Sequence, residues 1–339
     1  MDSVTHIVLG AATGQVFLGS KVGSRAVFWG AIAGSIPDFD TFVTPLLSPA
    51  SSVLFHRGPT HSILFALIIA PILGYIISAI HKDNNFRKWT MMGLVAILMH
   101  SVIDVFNTYG TELLFPFSNA RLAFDSIGII DFTLLLPILT LLIVMMFKPK
   151  RSAARTKLAT IILGYTLVFT IFTIGNKFII TNRVKKQLSE QNVSYTSLKT
   201  APLPFTNLLW LALAEDSTGY HYGYISNLDT KPIHLKYIKR NANLLGDLIE
   251  TDEVKKLMFF TDNYYTVQQN NENEIRFHDL RFGSMAFDSE DWYVFTFLIS
   301  GNKDNFEVSR SKPERKFGWE TTGKYWQRIF KDLGDQDTI

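Results

Sequence analysis

Cysteine is absent from the 339 residues. That removes disulfides, a thiolate nucleophile and any cysteine-ligated zinc site from consideration. Charge is also scarce: 19% of residues are charged, the formal net charge is +3, and no basic block is long enough to hold a polyanion, so nucleic acid is not an expected partner. The opening MDSVTH has no basic residue ahead of its apolar stretch. A cleaved secretory leader is therefore not expected, and His6 is read as part of the mature chain.

What the chain has is apolar bulk, with 47% hydrophobic residues, 27 Phe and a mean hydropathy of +0.14. This bulk crowds into residues 1–180. Residues 62–80, 127–147 and 158–175 read as full membrane spans, and 90–106 as a fourth that carries His100 and Asp104. Two shorter pieces, 7–20 and 26–36, are rich in small residues and read as a re-entrant hairpin or two short, closely packed helices. The expected fold is an α-helical integral membrane domain of about five to six membrane-embedded helices over 1–180, then a mainly antiparallel β (α+β) soluble domain over 181–339. In the second part, alternating aromatic-rich stretches at 221–228, 263–270, 275–282 and 292–299 predict strands, with a helical piece near 243–260.

Basic residues set the orientation. Ten (Lys21, Arg25, Lys82, Arg87, Lys88, Lys148, Lys150, Arg151, Arg155 and Lys157) fall in one set of loops, against six (Arg57, Arg121, Lys177, Arg183, Lys185 and Lys186) on the other side. The first set is assigned to the cytoplasm, which makes a multi-pass inner-membrane protein whose C-terminal domain is extracytoplasmic.

Tracing the chain through that topology puts His6, Asp38, Asp40, His56, His61, His100 and Asp104 near one membrane face. His100 and Asp104 are four apart and share a helix face, which Asn107 extends. Ionisable groups in a span need a compensating partner, and a divalent cation is one. Four imidazoles and three carboxylates suit one or two ions, zinc first and manganese as the alternative. Each motif also has a plainer reading: Asp38 and Asp40 after Pro37 as turn and cap residues, His61 as a cap of the next span, and His100 with Asp104 as a proton relay. The convergence of all four motifs favours the metal site. Arg57 is placed to hold a phosphate oxygen or, equally, to anchor a lipid headgroup, and Asn107 to orient a ligand or water. His81, His221, His234 and His278 have no ligand spacing.

The ordered motifs THIVLG, PDFD, HRGPTHS and HSVIDVFNTYG resemble the YdjM-like family of membrane-bound metal-dependent hydrolases over about residues 1–150. The resemblance implies an integral membrane protein with metal-dependent hydrolase activity. The ligand order is also similar to that of the zinc-dependent phospholipase C and single-strand nuclease superfamily, without its second helical ligand pair or N-terminal Trp. The expected activity is hydrolysis of a phosphoester in a membrane lipid or lipid-linked substrate at the outer interface. The rivals are a proton-coupled transporter and a non-catalytic scaffold that displays the C-terminal domain.

Overall fold

In the computed structural model the chain forms two compact units, with residues 1–83, 85–271, 274–284, 293–302, 305–311 and 319–330 described. The first unit holds Met1–Pro45 and Phe55–Ile174, and the second holds Leu46–Leu54 and the chain from Gly175 onward.

The first unit begins with α1 (Ser3–Gly14), which runs through a π-helical stretch (Gln15–Gly19) into a short α2 (Ser20–Val22). α3 (Ser24–Ser35) then returns antiparallel to α1. Both helices carry glycines four apart, Gly10 with Gly14 and Gly30 with Gly34. A Cβ on Gly30 would lie 2.2 Å from the Gly10 carbonyl oxygen, and one on Gly34 would lie 2.7 Å from that of His6. The two backbones therefore touch directly, as small-residue spacing allows. The antiparallel pair α5 (Ile63–His81) and α6 (Phe86–Asp104) packs beside them through Leu73, Ile77, Trp89, Met92 and Ala96. α7 (Phe132–Met146) and the first part of α8 (Ala153–Glu190) complete this core with Leu134, Ile138, Ala159, Ile162 and Phe169.

Among the described residues, two helices are long and apolar enough to cross a membrane: α5, with a mean hydropathy of 2.6, and α8, with 2.0. This corrects the expectation of five to six embedded helices. α1 and α3 have only 12 residues each, and α7 is apolar but has 15. α6 has the length but carries Arg87, Lys88, His100 and Asp104. The basic turns at 21–25 and 148–151 meet at one end of the unit, where Gly23 abuts Lys150 and Arg151.

In the second unit the distal part of α8 supplies Ile180, Val184 and Leu188 to one face of a four-stranded antiparallel sheet. That sheet runs in order β1 (Ser197–Pro202), β2 (Leu209–Glu215), β3 (Gly219–Ser226) and β4 (Lys236–Lys239). Along β2, Trp210, Ala212 and Ala214 face α8, while Leu209, Leu211 and Leu213 join a core with Tyr264, Leu280 and Tyr325. A sheet covered on both faces needs this doubly apolar strand. A 3-10 stretch (Ala242–Glu250) and α9 (Asp252–Phe260) lead to a second antiparallel sheet, β5 (Tyr265–Asn271), β6 (Glu274–Asp279), β7 (Thr296–Asn302) and β8 (Asn305–Arg310), and then to α10 (Trp319–Phe330). α4 (Pro49–Phe55) begins within the Leu46–Leu54 excursion, where Ser48 Oγ donates to Glu253 Oε1 at 2.9 Å and Lys256 Nζ donates to Ser51 Oγ at 3.0 Å.

Candidate metal centre

Four separate segments arrive at the same end of the helical unit. Asp2 caps α1, its Oδ1 accepting from the Thr5 amide at 2.9 Å, and His6 lies one turn inside. A 3-10 turn (Pro37–Phe42) after α3 carries Asp38 and Asp40. The link into α5 contributes His56, Arg57 and His61. Arg57 adopts a φ of +62°, an uncommon conformation for a residue with a Cβ. It is held there because its amide donates to Asp40 Oδ2 at 3.1 Å and its carbonyl accepts from the Glu112 amide at 2.9 Å. His100 and Asp104 project from the last turns of α6.

Asp38, His61, His100 and Asp104 form a quartet whose donor atoms all lie within 4.8 Å of one another. His61 Nε2 is 3.5 Å from both Asp38 Oδ1 and Asp104 Oδ2. His100 Nε2 is 3.4 and 3.6 Å from the same two atoms. The two Nε2 atoms are 3.1 Å apart. Tetrahedral zinc with bonds of about 2.0–2.1 Å sets its ligand atoms about 3.3 Å apart, so the five separations fit that ion.

The neighbours of the imidazoles strengthen the fit. His100 Nδ1 lies 2.6 Å from the Gly34 carbonyl oxygen. A carbonyl only accepts, so this nitrogen carries the proton and Nε2 presents a lone pair. Thr60 Oγ1 donates to Asp40 Oδ2 at 2.9 Å and accepts from His61 Nδ1 at 3.1 Å, which leaves His61 Nε2 in the same state. Four electron-rich atoms thus converge in a buried space, an arrangement that calls for positive charge at its centre. The ionisation of Asp38 and His61 agrees. Burial works to raise the Asp38 carboxyl, but hydrogen bonds with His100 and His61 outweigh it and hold it far below the carboxylate range. Burial opposes charge on His61, yet Asp104 and Asp38 raise its pKa.

Asp38, Asp40 and His56 form a second, overlapping set, also within 4.8 Å. Asp40 spends most of its capacity on neighbours: Oδ1 lies 2.8 Å from His56 Nδ1, and Oδ2 accepts from the Arg57 amide and from Thr60. Its pKa is lowered, because these bonds and His56 outweigh burial. His6 lies outside both sets. Its ring stacks on His100 at 3.6 Å between centroids, and its Nε2 is 3.3 Å from Asp104 Oδ1, which also meets the Met1 amino nitrogen. Among the described residues neither His6 ring nitrogen makes a hydrogen bond, the Asp104 contact at 3.3 Å being an ion-pair approach.

Arg57 is buried beside the quartet, with Nε 3.3 Å from Asp104 Oδ2 and its guanidinium 4.9 Å above the Tyr109 ring. Asn107 turns away from the quartet. Its Oδ1 accepts from Arg57 Nη1 at 3.4 Å and from the Tyr109 amide at 2.9 Å, while Nδ2 donates to the Ile127 carbonyl. It positions Arg57 and the local chain. Arg121 braces the other side, donating to the His56 and Gly110 carbonyls and pairing with Glu112 at 3.1 Å. Glu112 is raised by burial, with Arg121 opposing.

The structure therefore brings all nine sequence candidates to one place and sorts them into a quartet, an overlapping outer set, a stacked His6 and a supported Arg57. Sequence reading missed the supports: Thr60, Tyr109, Arg121 and the Gly34 carbonyl. Only Thr60, adjacent to His61, carried a readable signal. The plain reading of the remaining histidines holds for His81, which accepts from Trp29 Nε1 at 2.8 Å, and for His278, buried against Thr296.

Comparisons with known proteins match the same part of the chain. The family model described as "YdjM inner membrane protein" matches residues 1–176, more than half of the chain. The uncharacterized protein YfhP of Bacillus subtilis (strain 168) is 32% identical over 197 residues, covering 56% of this chain and 58% of YfhP. The inner membrane protein YbcI of Escherichia coli (strain K12) is 31% identical over 121 residues, 35% of this chain and 69% of YbcI. YvsG of B. subtilis is 35% identical over 94 residues, 26% of this chain and 54% of YvsG. No solved structure matches, so the likeness to the zinc-dependent phospholipase C superfamily rests on the order of ligand types alone. The matched residues contain every member of the quartet, and the chain belongs to the YdjM inner membrane protein family.

Proposed function

We propose that this chain is a metal-dependent hydrolase that cleaves a phosphoester in a membrane lipid or lipid-linked substrate at the extracytoplasmic interface. One observation carries the reading: two imidazoles with fixed tautomers and two carboxylates point lone pairs at one buried point. Asp38, His61, His100 and Asp104 would hold the first ion, zinc by the donor spacing. Asp38, Asp40 and His56 would hold or support a second, for which manganese is the alternative. When bound, a divalent cation supplies Lewis-acid polarisation of a phosphoryl oxygen and acidifies the attacking water.

The chain's own residues do the rest. Arg57, locked by Asn107, by Tyr109 and by the ion pair of its Nε with Asp104 Oδ2, offers its remaining guanidinium donors to an anionic oxygen of the substrate. Asp40 fixes His56 through Nδ1, which leaves His56 Nε2 to face a second ion or, with one ion bound, to exchange a proton with the leaving group. Asp38 and His56 are the members of the two sets with side chains open to the outside, so substrate enters there.

A proton-coupled transporter would need titratable groups continuing along the bundle. The buried residues of α5, Ala66, Ala70, Leu73, Gly74 and Ile77, offer no titratable group, and the buried Thr13, Gln15, Thr166, Thr170 and Thr173 of the neighbouring helices are not titratable either. The test is metal analysis and phosphodiesterase assay of the purified protein beside His61→Ala. Bound zinc and activity that vanish together in the variant are expected. A wild-type protein without stoichiometric metal, or a fully active variant, overturns the reading.

A further inference from the structure

The turn that carries Asp38 and Asp40 has two faces. In a 3-10 helix, residues three apart eclipse one another. Phe39 and Phe42 therefore share the outer face, with ring centroids 5.8 Å apart, while Asp40 is buried inside. Phe42 is 77% exposed. A second apolar tip stands on the other side of the His56–His61 segment. The Glu112 amide donates to the Arg57 carbonyl and the Ile63 amide to the Leu113 carbonyl, fixing the 112–118 loop against the start of α5. That loop exposes Leu114 and Phe117, the latter at 86%.

Both loops are bonded to the segment that enters α5, the 3-10 turn through Asp40 with Arg57 and Thr60 and the 112–118 loop through Leu113 with Ile63, and the helix then exposes Ile63, Leu64, Leu67 and Ile68. An apolar surface that adjoins the entry to a membrane span has one solvent suited to it, the acyl region of the bilayer. We infer that Phe39, Phe42, Leu114 and Phe117 form a lipid-immersed rim, so that the mouth at Asp38 and His56 opens at acyl-chain level. The site then draws an amphiphile with an anionic headgroup laterally from the bilayer, rather than a soluble ester from water. The rim stands on the exposed surface alone; the choice of substrate rests also on the hydrolase reading above.

The test uses the full chain in lipid vesicles. Phe42→Trp and Phe117→Trp are prepared separately, and their fluorescence is measured against the unsubstituted protein with its six native Trp. Vesicles contain either ordinary lipids or lipids brominated near the carboxyl end of the acyl chain. An apolar face of this kind lies about 5–10 Å into the headgroup–acyl boundary, so bromolipid should quench the added fluorescence at both positions and aqueous iodide should not. Iodide quenching without bromolipid quenching at either position overturns the rim. Zinc content of the same samples separates the two readings. Quenching without bound metal keeps the rim and sinks the metal-dependent hydrolase, whereas bound metal without quenching does the reverse.

Discussion

Asp38 and Asp40 are two residues apart and chemically identical, yet they face different tasks. Asp38 belongs to both candidate ion sets, whereas Asp40 is occupied by His56, Thr60 and the Arg57 amide. Asp38→Asn should abolish stoichiometric zinc binding. Thr60→Val, which unfastens His61, should weaken it by about 10–100-fold, the usual effect of removing a ligand's hydrogen-bond support. Competition against a chelating dye reads both. A second residue-scale test concerns His278, whose pKa is lowered to about 4 by burial, with Arg276 adding. Below pH 6.5 the unfolded chain takes up this proton while the fold resists it until about 4. The contribution to stability is therefore complete above pH 6.5 and lost on acidification through that window, roughly 3 kcal/mol in all. Unfolding midpoints of the sheet unit at pH 7 and 4.5 should differ, and His278→Gln should narrow the gap. The candidate ligand residues were legible in the sequence because they occur as short motifs at the ends of apolar runs. Their division of labour was not, since it depends on which carboxylate oxygen meets Thr60, 20 positions away.

At the level of elements, the glycine contact between α1 and α3 sets the position of the centre. The Gly34 carbonyl orients His100, and the His6 carbonyl lies against the Gly34 Cα. Gly30→Leu would drive a side chain into the Gly10 carbonyl, so both thermal stability and zinc content should fall. Gly164→Ala is the matching control: a Cβ there meets nothing within 4 Å, and a helical Gly→Ala change should leave stability unchanged or raise it by up to about 1 kcal/mol. Small-residue patterning made this hairpin readable in advance. Span counting overshot for α6, which carries Arg87, Lys88 and Asp104, and for α7, which has 15 residues, since apolar composition alone does not fix a helix's length or its charges. In the second unit, the alternating strands β3, β5, β6 and β7 had a visible pattern. β2 was harder to read because LWLALAE is apolar on both faces and carries no alternation.

For the whole molecule, the absence of cysteine makes sidedness directly measurable. Single substitutions Lys150→Cys and Lys186→Cys introduce the only thiols in the chain. An impermeant maleimide applied outside intact cells should label position 186 and spare 150. The opposite pattern would invert the proposed orientation while leaving the centre assembled. The second unit is also discontinuous in sequence, since it claims Leu46–Leu54 from between Asp40 and His56. Ala50 and Val53 of that strip are buried, and Ser48 and Ser51 bond to Glu253 and Lys256. A stop codon after position 174 would thus leave the nine residues 46–54 without their partners Glu253 and Lys256. The C-terminal half is not a detachable cassette, and grafting it elsewhere would require carrying that strip with it.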